Sequence, residues 1–287
     1  MQSRRIGDRT VSAIGLGGMP MSIEGRPDDR RRSVATIHAA LDAGITLIDT
    51  ADAYHLDSTD PGHNELLIAE ALALYGGNTA DVLVATKGGH TRPGDGSWQL
   101  DGSPEHLREA CDESLKRLGV EAIGLYQFHR PDPSVPYAES VGALRDLLDA
   151  GKIRMAGISN ADQGQIREAQ EVLGGRLASV QNQYSPAYRS SLDELRLCAE
   201  MGIAFLPWSP LGGISDAAEL GSEHAAFATV AETHGVSPQQ ATLAWMLATA
   251  PAVVPIPGSS RPETIRDSAA AVDLMLSTDE IAMLDAA

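Results

Sequence analysis

The sequence is poor in aromatic and basic residues. Aromatic residues make up 4% of the 287 positions, and 22 Lys and Arg stand against 39 Asp and Glu, for a net charge of −17. Nucleic acids and membrane surfaces are polyanions, so this acidic balance argues against either as a partner. An anionic ligand would need a locally basic pocket within the overall negative field.

Cysteines and long apolar runs are also scarce. The two cysteines, Cys111 and Cys198, lie at apolar positions of helical patterns, which predicts buried thiols in a reducing compartment. No apolar run is long enough to cross a bilayer, and the start, Met-Gln-Ser-Arg-Arg, lacks the apolar core of a signal peptide. We therefore expect a cytoplasmic protein, monomeric as the simplest assembly. No linker or low-complexity segment divides the chain, so we expect residues 1–287 to form a single domain.

The sequence does contain an alternation of strand and helix patterns. Short apolar runs lie near residues 13–19, 45–48, 82–86, 123–128, 153–158, 178–182, 203–208 and 252–256. Helical patterns lie near 34–41, 65–74, 104–118, 141–148, 162–173, 190–201, 237–248 and 262–271. Eight strand–helix units predict an α/β fold, a (β/α)8 TIM barrel, preceded by a β-hairpin around a turn at residues 7–9. The rival is an open doubly wound sheet, but no GxGxxG follows the first strand.

Three of these strands end in ionisable residues. Asp49 ends the second strand with Tyr54 just beyond it, Lys87 ends the third, and His129 ends the fourth. The carboxyl ends of parallel strands are where α/β barrels hold their chemistry. Plainer interpretations are a structural ion pair of Asp49 and Lys87, a core His129 and a surface Tyr54. One mutual network would satisfy all four residues, since buried charges are costly unless paired.

The motifs around these residues resemble those of the aldo-keto reductases over nearly the whole chain. They are DTADAYxxxxxxxGxNE (49–65), TKGG (86–89), LYQFHRPDP (125–133), GKIRxxGISN (151–160), QNQYSP (181–186), WSPLGG (208–213) and IPGSSRPE (256–263). The resemblance implies a barrel whose bottom is closed by the N-terminal hairpin, with Asp49, Tyr54, Lys87 and His129 as the catalytic tetrad.

The chemistry of carbonyl reduction is consistent with those residue types. No side chain donates hydride, so a nicotinamide cofactor must supply it. A phenol has a pKa near 10 and is a poor proton donor at neutral pH. We therefore expect Lys87 to lower the pKa of Tyr54, the general acid, and Asp49 to orient Lys87. His129 would donate a hydrogen bond to the substrate oxygen or assist the proton relay.

The resemblance also implies a binding site for NADPH. Its residues are Gly18, Met19, Asp49, Ser159, Asn160, Gln181, Trp208, Ser209, Pro210, Leu211, Gly213, Ile256, Gly258, Ser259, Ser260, Arg261, Thr264, Asp267 and Ser268. The amides and hydroxyl at 159, 160 and 181 would hold the nicotinamide carboxamide, and Trp208 would stack on the ring. Hydroxyls, a guanidinium and the helix start at Pro262 suit the ribose 2′-phosphate.

This phosphate site departs from a common family pattern. Gly258 stands where many members have lysine, Thr264 where many have arginine, and Ser268 where asparagine is frequent. We expect Arg261 to compensate, so that NADPH is favoured and NADH is a less favoured alternative.

The substrate pocket should be lined by Met19, Tyr54, Trp98, His129 and Trp208, and such walls suit a hydrophobic or planar aldehyde or ketone. Long connections at 55–63, 90–102 and 211–222 should shape this pocket. His55 is interpreted as an exposed loop histidine.

Two other functions compete with carbonyl reduction. One is an NADP(H)-binding module of the same fold that senses redox state for a protein partner. The other is a metal-dependent lyase or hydrolase. The second is disfavoured, and no metal site is expected, because no His, Asp and Glu cluster at the strand ends supplies three ligands.

Overall fold

The computed structural model describes residues 1–93, 95–213 and 216–287. Its strands are β1 (Ser3–Ile6), β2 (Arg9–Ser12), β3 (Leu16–Gly17), β4 (Leu47–Asp49), β5 (Leu83–Gly88), β6 (His90–Thr91), β7 (Gln99–Leu100), β8 (Ile123–Phe128), β9 (Ile153–Ser159), β10 (Leu177–Gln181) and β11 (Ala204–Phe205). Its helices are α1 (Arg30–Asp42), α2 (His63–Leu74), α3 (Pro104–Leu118), α4 (Tyr137–Asp149), α5 (Gln163–Val172), α6 (Leu192–Met201), α7 (Leu220–Glu223), α8 (Ala225–His234), α9 (Pro238–Thr249), α10 (Pro262–Ala270) and α11 (Thr278–Asp285).

The central sheet is parallel and curls into a barrel. Seven strands pair in the order β11-β10-β9-β8-β5-β4-β3, and every pairing along that order is parallel. Helices connect successive strands, as the alternating sequence pattern predicts. The predicted (β/α)8 architecture is therefore confirmed.

The eighth strand, predicted over 252–256, closes the barrel through isolated bridges and is not a continuous strand. One bridge joins Phe205 to Val253 and another joins Gly17 to Gly258. The carbonyls of Pro255 and Pro257 accept 2.9 Å hydrogen bonds from the N–H groups of Gly15 and Gly17, at the first barrel strand, but a proline has no N–H to donate in return. A return bond comes instead from the Ser259 N–H, which donates to the Gly17 carbonyl at 3.4 Å, so the pairing on that side is incomplete.

The N-terminal hairpin covers the bottom of the barrel, as expected. β1 and β2 pair antiparallel, and they contribute the buried side chains of Ile6 and Val11. These two residues pack with the inward-facing residues of the barrel strands, among them Leu47, Leu83 and Leu125. A side chain at Gly7, in the turn, would come within 2.9 Å of the Met155 sulfur, which lies beneath the hairpin.

The helix caps predicted from the sequence for α3 are present in the structure. The Ser103 side chain accepts a hydrogen bond from the backbone N–H of His106, and Pro104 is the first helical residue. Gly119 ends the helix with φ +67°, a backbone conformation that glycine adopts easily. Cys111 and Cys198 are buried, and burial raises the pKa of each thiol to about 12.

Three helices lie outside the predicted set, and one predicted loop contains a hairpin. α8 buries Phe227, Val230 and Ala231, which have helical spacing, and α11 begins with a capping box of Ser277 and Glu280. The short α7 lies in the connection predicted over 211–222, two residues of which, 214 and 215, lie outside the described residues. The connection at 90–102 contains the antiparallel β6–β7 pair. No helix in the described ranges is long and apolar enough to cross a bilayer.

Candidate active site

The four residues at the strand exits meet at one end of the barrel. The Lys87 ammonium donates to Asp49 Oδ2 at 2.6 Å, to the Thr50 carbonyl at 2.8 Å and to Tyr54 Oη at 3.1 Å. The Tyr54 ring also meets the His129 ring edge to face, with centroids 5.8 Å apart. All of these side chains are buried. The four predicted site residues therefore form a single contact network.

Two buried amides orient the Asp49 carboxylate. Its Oδ1 accepts hydrogen bonds from Gln181 Nε2 at 2.8 Å and from Gln127 Nε2 at 3.4 Å. Gln127 reaches this position because residue 157 is glycine; a Cβ there would lie 2.8 Å from Gln127 Cγ. The role of Gln127 was not predicted. Its inward-facing amide within an otherwise apolar strand was the available signal.

A second set of buried polar residues supports the strand exits from outside the barrel. Asn64 donates to the Gly18 carbonyl at 2.8 Å and accepts from the Thr50 hydroxyl at 2.7 Å. Glu65 accepts from Thr86 at 2.5 Å and from Arg117 at 2.6 Å. These contacts give the GxNE part of the first motif a structural role.

Burial dominates the pKa of Tyr54. It raises the pKa of the phenol above its usual value, and the Lys87 charge, which acts in the opposite direction, does not cancel it. The prediction that Lys87 makes Tyr54 unusually acidic is therefore wrong for this state of the protein. Burial would lower the pKa of Lys87, but the Asp49 carboxylate and Tyr54 outweigh it, and the pKa of Lys87 is raised.

Two histidine rings, His90 and His129, meet edge to face at the mouth of the site. Burial, followed by the charges of Lys87, His90 and Arg130, holds the pKa of His129 well below its usual value. Burial also lowers the pKa of His90, whose ring lies 4.4 Å from that of His129, centroid to centroid. A neutral imidazole has one N–H, so His129 can donate one hydrogen bond. Its Nδ1 is buried with no partner among the described residues.

A cavity of about 640 Å³ opens directly onto this network. It extends from Tyr54, Trp98 and His129 to Arg261 and Ser268. Of the predicted cofactor-binding residues, all but Gly18 line it, and so do all five predicted substrate-pocket residues. Gly18 lies behind the wall, where a Cβ would come within 3.0 Å of the Asp49 carbonyl oxygen, and Gly17 lines the cavity in its place.

The polar residues of one cavity wall are already hydrogen-bonded to one another. Asn160 donates to the His129 carbonyl and to Ser159 Oγ, both at 3.0 Å, and accepts from Arg130 at 3.3 Å. Ser159 donates to the Gln181 carbonyl at 2.7 Å. Asn160 has φ +58°, an uncommon conformation that asparagine tolerates better than most residues. The amide at 160 is therefore fixed in orientation at the strand exit.

The far end of the cavity has mixed charge. Arg261 is exposed, and its guanidinium makes no ion pair within the described ranges. Ser259 is buried, and its hydroxyl lies 2.5 Å from Thr264 Oγ1 and donates to the Arg261 carbonyl. Asp267 accepts hydrogen bonds from Ser237 at 2.7 Å and Gln240 at 2.6 Å. The Ser259 hydroxyl thus caps the loop, and Arg261 is the group available to an anion.

Several cavity residues were not named among the predicted binding residues. They are Gly17, Pro20, His90, Arg130, Ala217, Ala218, Gln239 and Glu263. His90, Ala217 and Ala218 lie in the connections at 90–102 and 211–222, which were expected to shape the pocket, and Arg130 directly follows His129 within the LYQFHRPDP motif. The interpretation of His55 as an exposed loop histidine is wrong, because His55 is buried and its Nδ1 lies 2.7 Å from the Asp57 carbonyl oxygen.

Some solved structures with the same fold contain NADP or NADPH. An aldo/keto reductase from Klebsiella pneumoniae in complex with NADP and acetate superposes with a TM-score of 0.82, at 27% identity over 99% of this chain and 94% of that one. A glycerol dehydrogenase from Gluconobacter oxydans also gives 0.82, at 28% identity over 99% and 94%. The chain therefore has the fold of barrel oxidoreductases.

The family model described as "Aldo/keto reductase family" matches residues 13–287, and the chain belongs to that family. The 6-dehydroglucose reductase of Novosphingobium aromaticivorans is 37% identical over 270 residues, which cover 91% of this chain and 86% of that protein. An uncharacterized oxidoreductase of Schizosaccharomyces pombe is 33% identical over 284 residues, covering 98% and 88%.

Proposed function

We propose that this protein is an NADPH-dependent reductase of aldehydes or ketones, with Tyr54 as the general acid. The observation that carries the proposal is the position of the Lys87 ammonium, 2.6 Å from Asp49 and 3.1 Å from Tyr54 Oη, behind a phenol that lines the cavity. A buried ammonium between a carboxylate and a phenol suits a proton transfer that leaves a phenolate.

The cofactor would supply the hydride, because no side chain can. The Tyr54 hydroxyl transfers its proton to the substrate oxygen, and the phenolate that remains is stabilised by Lys87. Asp49 keeps Lys87 charged and oriented. Because burial raises the pKa of Tyr54, the phenol stays protonated at neutral pH and is ready to donate. His129, held neutral by burial, donates its single hydrogen bond to the same oxygen.

The residues present suit NADPH. Trp208 lines the cavity, and its buried Nε1 has no partner among the described residues. Its indole offers a flat surface for an aromatic ring, beside the hydrogen-bonding groups at 159, 160 and 181. At the other end, Arg261 precedes the N-terminus of α10, where backbone N–H groups favour a phosphate. Glu263 and Asp267 line the same end, so we propose a preference for NADPH and not an absolute requirement.

The test is reduction of nitrobenzaldehyde by the purified protein, followed by the loss of NADPH absorbance. Tyr54→Phe should lower kcat by about 10²–10⁴-fold, the usual contribution of a general acid, and leave the Kd for NADPH unchanged. Tyr188→Phe is the matched control, because Tyr188 is exposed and lies outside the cavity lining. A Tyr54→Phe variant with wild-type kcat would refute the assignment.

The same experiment addresses the redox-sensing alternative. If NADPH binds and no member of a broad aldehyde and ketone panel is reduced, the reductase proposal fails, and the cofactor-binding module becomes the better interpretation. Metal-dependent chemistry has no support from the geometry. Across 1–93, 95–213 and 216–287, no three His, Cys, Asp or Glu side chains are grouped to hold a metal ion.

A further inference from the structure

A buried guanidinium that the mechanism does not use lies beside the site. The Arg92 side chain has no exposed surface, although its ion-pair partner, Glu24, is 63% exposed. Arg92 donates to the His55 carbonyl at 2.6 Å, to Glu24 Oε1 at 2.8 Å and to the Gly96 carbonyl at 3.0 Å. A charge buried this completely is costly unless it is paired, and these contacts pair it. The burial of a guanidinium at this position therefore calls for a structural or functional reason.

The three acceptors belong to three different connections. Glu24 follows β3, His55 follows β4 immediately after Tyr54, and Gly96 lies in the connection after β5. Arg92 therefore joins the loops at three neighbouring strand exits. The planar fork of an arginine presents five N–H donors in fixed directions, whereas a lysine ammonium has three donors that rotate about a flexible stem.

The face of the same guanidinium covers an indole. Arg92 Cζ lies 4.5 Å from the centroid of the Trp98 ring. The Trp98 ring meets Tyr54 edge to face at 6.4 Å and His90 at 5.5 Å. Trp98 is 41% exposed, so burial alone does not hold it in place. Its orientation next to the general acid depends on these ring contacts and on Arg92.

We propose that Arg92 is a positioning residue that sets substrate preference: it holds Trp98 as a flat wall beside Tyr54 and thereby favours planar aromatic carbonyls over aliphatic ones. This inference rests on the proposed function. A flat substrate ring gains contact area and favourable ring geometry against an indole that is already oriented, whereas an aliphatic chain gains much less. Glu24 compensates the buried charge, and the pKa of its carboxyl is lowered, first by the hydrogen bond from Arg92.

The kinetic test compares nitrobenzaldehyde with butanal in the full-length protein. Arg92→Met and Trp98→Ala should each raise KM for nitrobenzaldehyde by about tenfold, the size expected for one aromatic or cation–π contact, and change that for butanal by less than about twofold. The double variant should be no worse than either single variant, because both changes remove the same wall. Arg92→Lys should restore only part of the preference.

A second readout does not need turnover. In the ligand-free protein, Arg92→Met should increase acrylamide quenching of tryptophan fluorescence, and the increase should be absent when Trp98 is also replaced. Glu24→Gln, at an exposed position, is a milder variant that should shift both readouts in the same direction. It serves as the test if Arg92→Met does not fold.

The outcomes distinguish the two proposals. If the wild-type protein reduces neither aldehyde, the proposed function fails, while the quenching data still test whether Arg92 positions Trp98. If reduction occurs but the Arg92→Met and Trp98→Ala variants raise KM equally for butanal and nitrobenzaldehyde, Arg92 has a general structural role and the inference is overturned. The same conclusion follows if the KM effects of the two single variants multiply in the double variant. Unchanged quenching in the Arg92→Met and Glu24→Gln variants would also overturn it.

Discussion

Replacing Lys87 with methionine removes the centre of the buried network. The ammonium donates to Asp49, to the Thr50 carbonyl and to Tyr54 within 3.1 Å, and its side chain is fully buried. Without it, Asp49 keeps amide donors from Gln181 and Gln127 but no cation. Loss of one partner from a buried ion pair leaves an uncompensated charge, so we expect unfolding to become easier by about 3–5 kcal/mol.

Removing both charges should reverse most of this loss. In Asp49→Asn/Lys87→Met the amide at 49 can still accept from Gln181, and no unpaired charge remains. We expect the unfolding free energy of the double variant to lie within about 1–2 kcal/mol of the wild-type value. Because Lys87→Met alone loses about 3–5 kcal/mol, this result corresponds to a coupling energy of at least about 1–2 kcal/mol between the two sites. The sign of that coupling distinguishes a buried charge pair from two independent packing residues.

Urea denaturation of the ligand-free protein, followed by circular dichroism, measures these differences. The matched control is Lys152→Met, because Lys152 pairs with Asp112 at the surface, where both side chains are about 40% exposed. Surface ion pairs contribute about 0–1 kcal/mol to the free energy of unfolding, so Lys152→Met should change stability very little. A Lys87→Met variant no less stable than the control would refute the reasoning.

The pH dependence of the pair follows from the raised pKa of Lys87. The folded state holds this proton more tightly than the unfolded chain does, so the contribution is fully present below about pH 10, the usual lysine value. It is lost as the pH rises through the higher folded pKa. The stability difference between wild type and Lys87→Met should therefore be constant from neutral pH to about pH 9.

Three further predictions concern other parts of the site. Because burial raises the pKa of Tyr54, ionisation of Tyr54 should cause no loss of kcat/KM for reduction below about pH 10. The contrary result would be a fall in kcat/KM centred at about pH 8 that is present in wild type and absent in Tyr54→Phe. Burial, then the Glu65 charge, raises the pKa of Asp52 well above its usual value, so ionising Asp52 opposes folding as the pH rises. Asp52→Asn should therefore gain stability relative to wild type between about pH 5 and pH 8 in urea titrations, and a growing deficit would be the contrary result. Arg261→Ala should weaken NADPH binding about tenfold more than NADH binding in fluorescence titrations. Arg266→Ala, within α10 but outside the cavity lining, should not, and equal losses of both cofactors in Arg261→Ala would remove the 2′-phosphate assignment.

Local sequence was sufficient for most of the barrel. The alternation of apolar runs with helical patterns predicted the parallel sheet, and the cap at Ser103, Pro104 and Gly119 operates as expected. These signals depend on residues a few positions apart, which propensity and capping describe well. The eighth strand shows the limit of such patterns, since Pro255 and Pro257 keep an apolar run but remove two of its N–H donors.

What the sequence by itself determined is which chemical groups leave which strands: Asp49, Lys87 and His129 as the last residues of apolar runs, with Tyr54 just beyond. Only the tertiary structure decided how those groups are held. Gln181 reaches Asp49 across 132 positions, and Arg92 reaches Glu24 across 68 and His55 across 37. Periodicity cannot predict such pairings, because they depend on which loops meet. The same holds for the pKa of Tyr54, where burial by the folded chain outweighs the neighbouring ammonium.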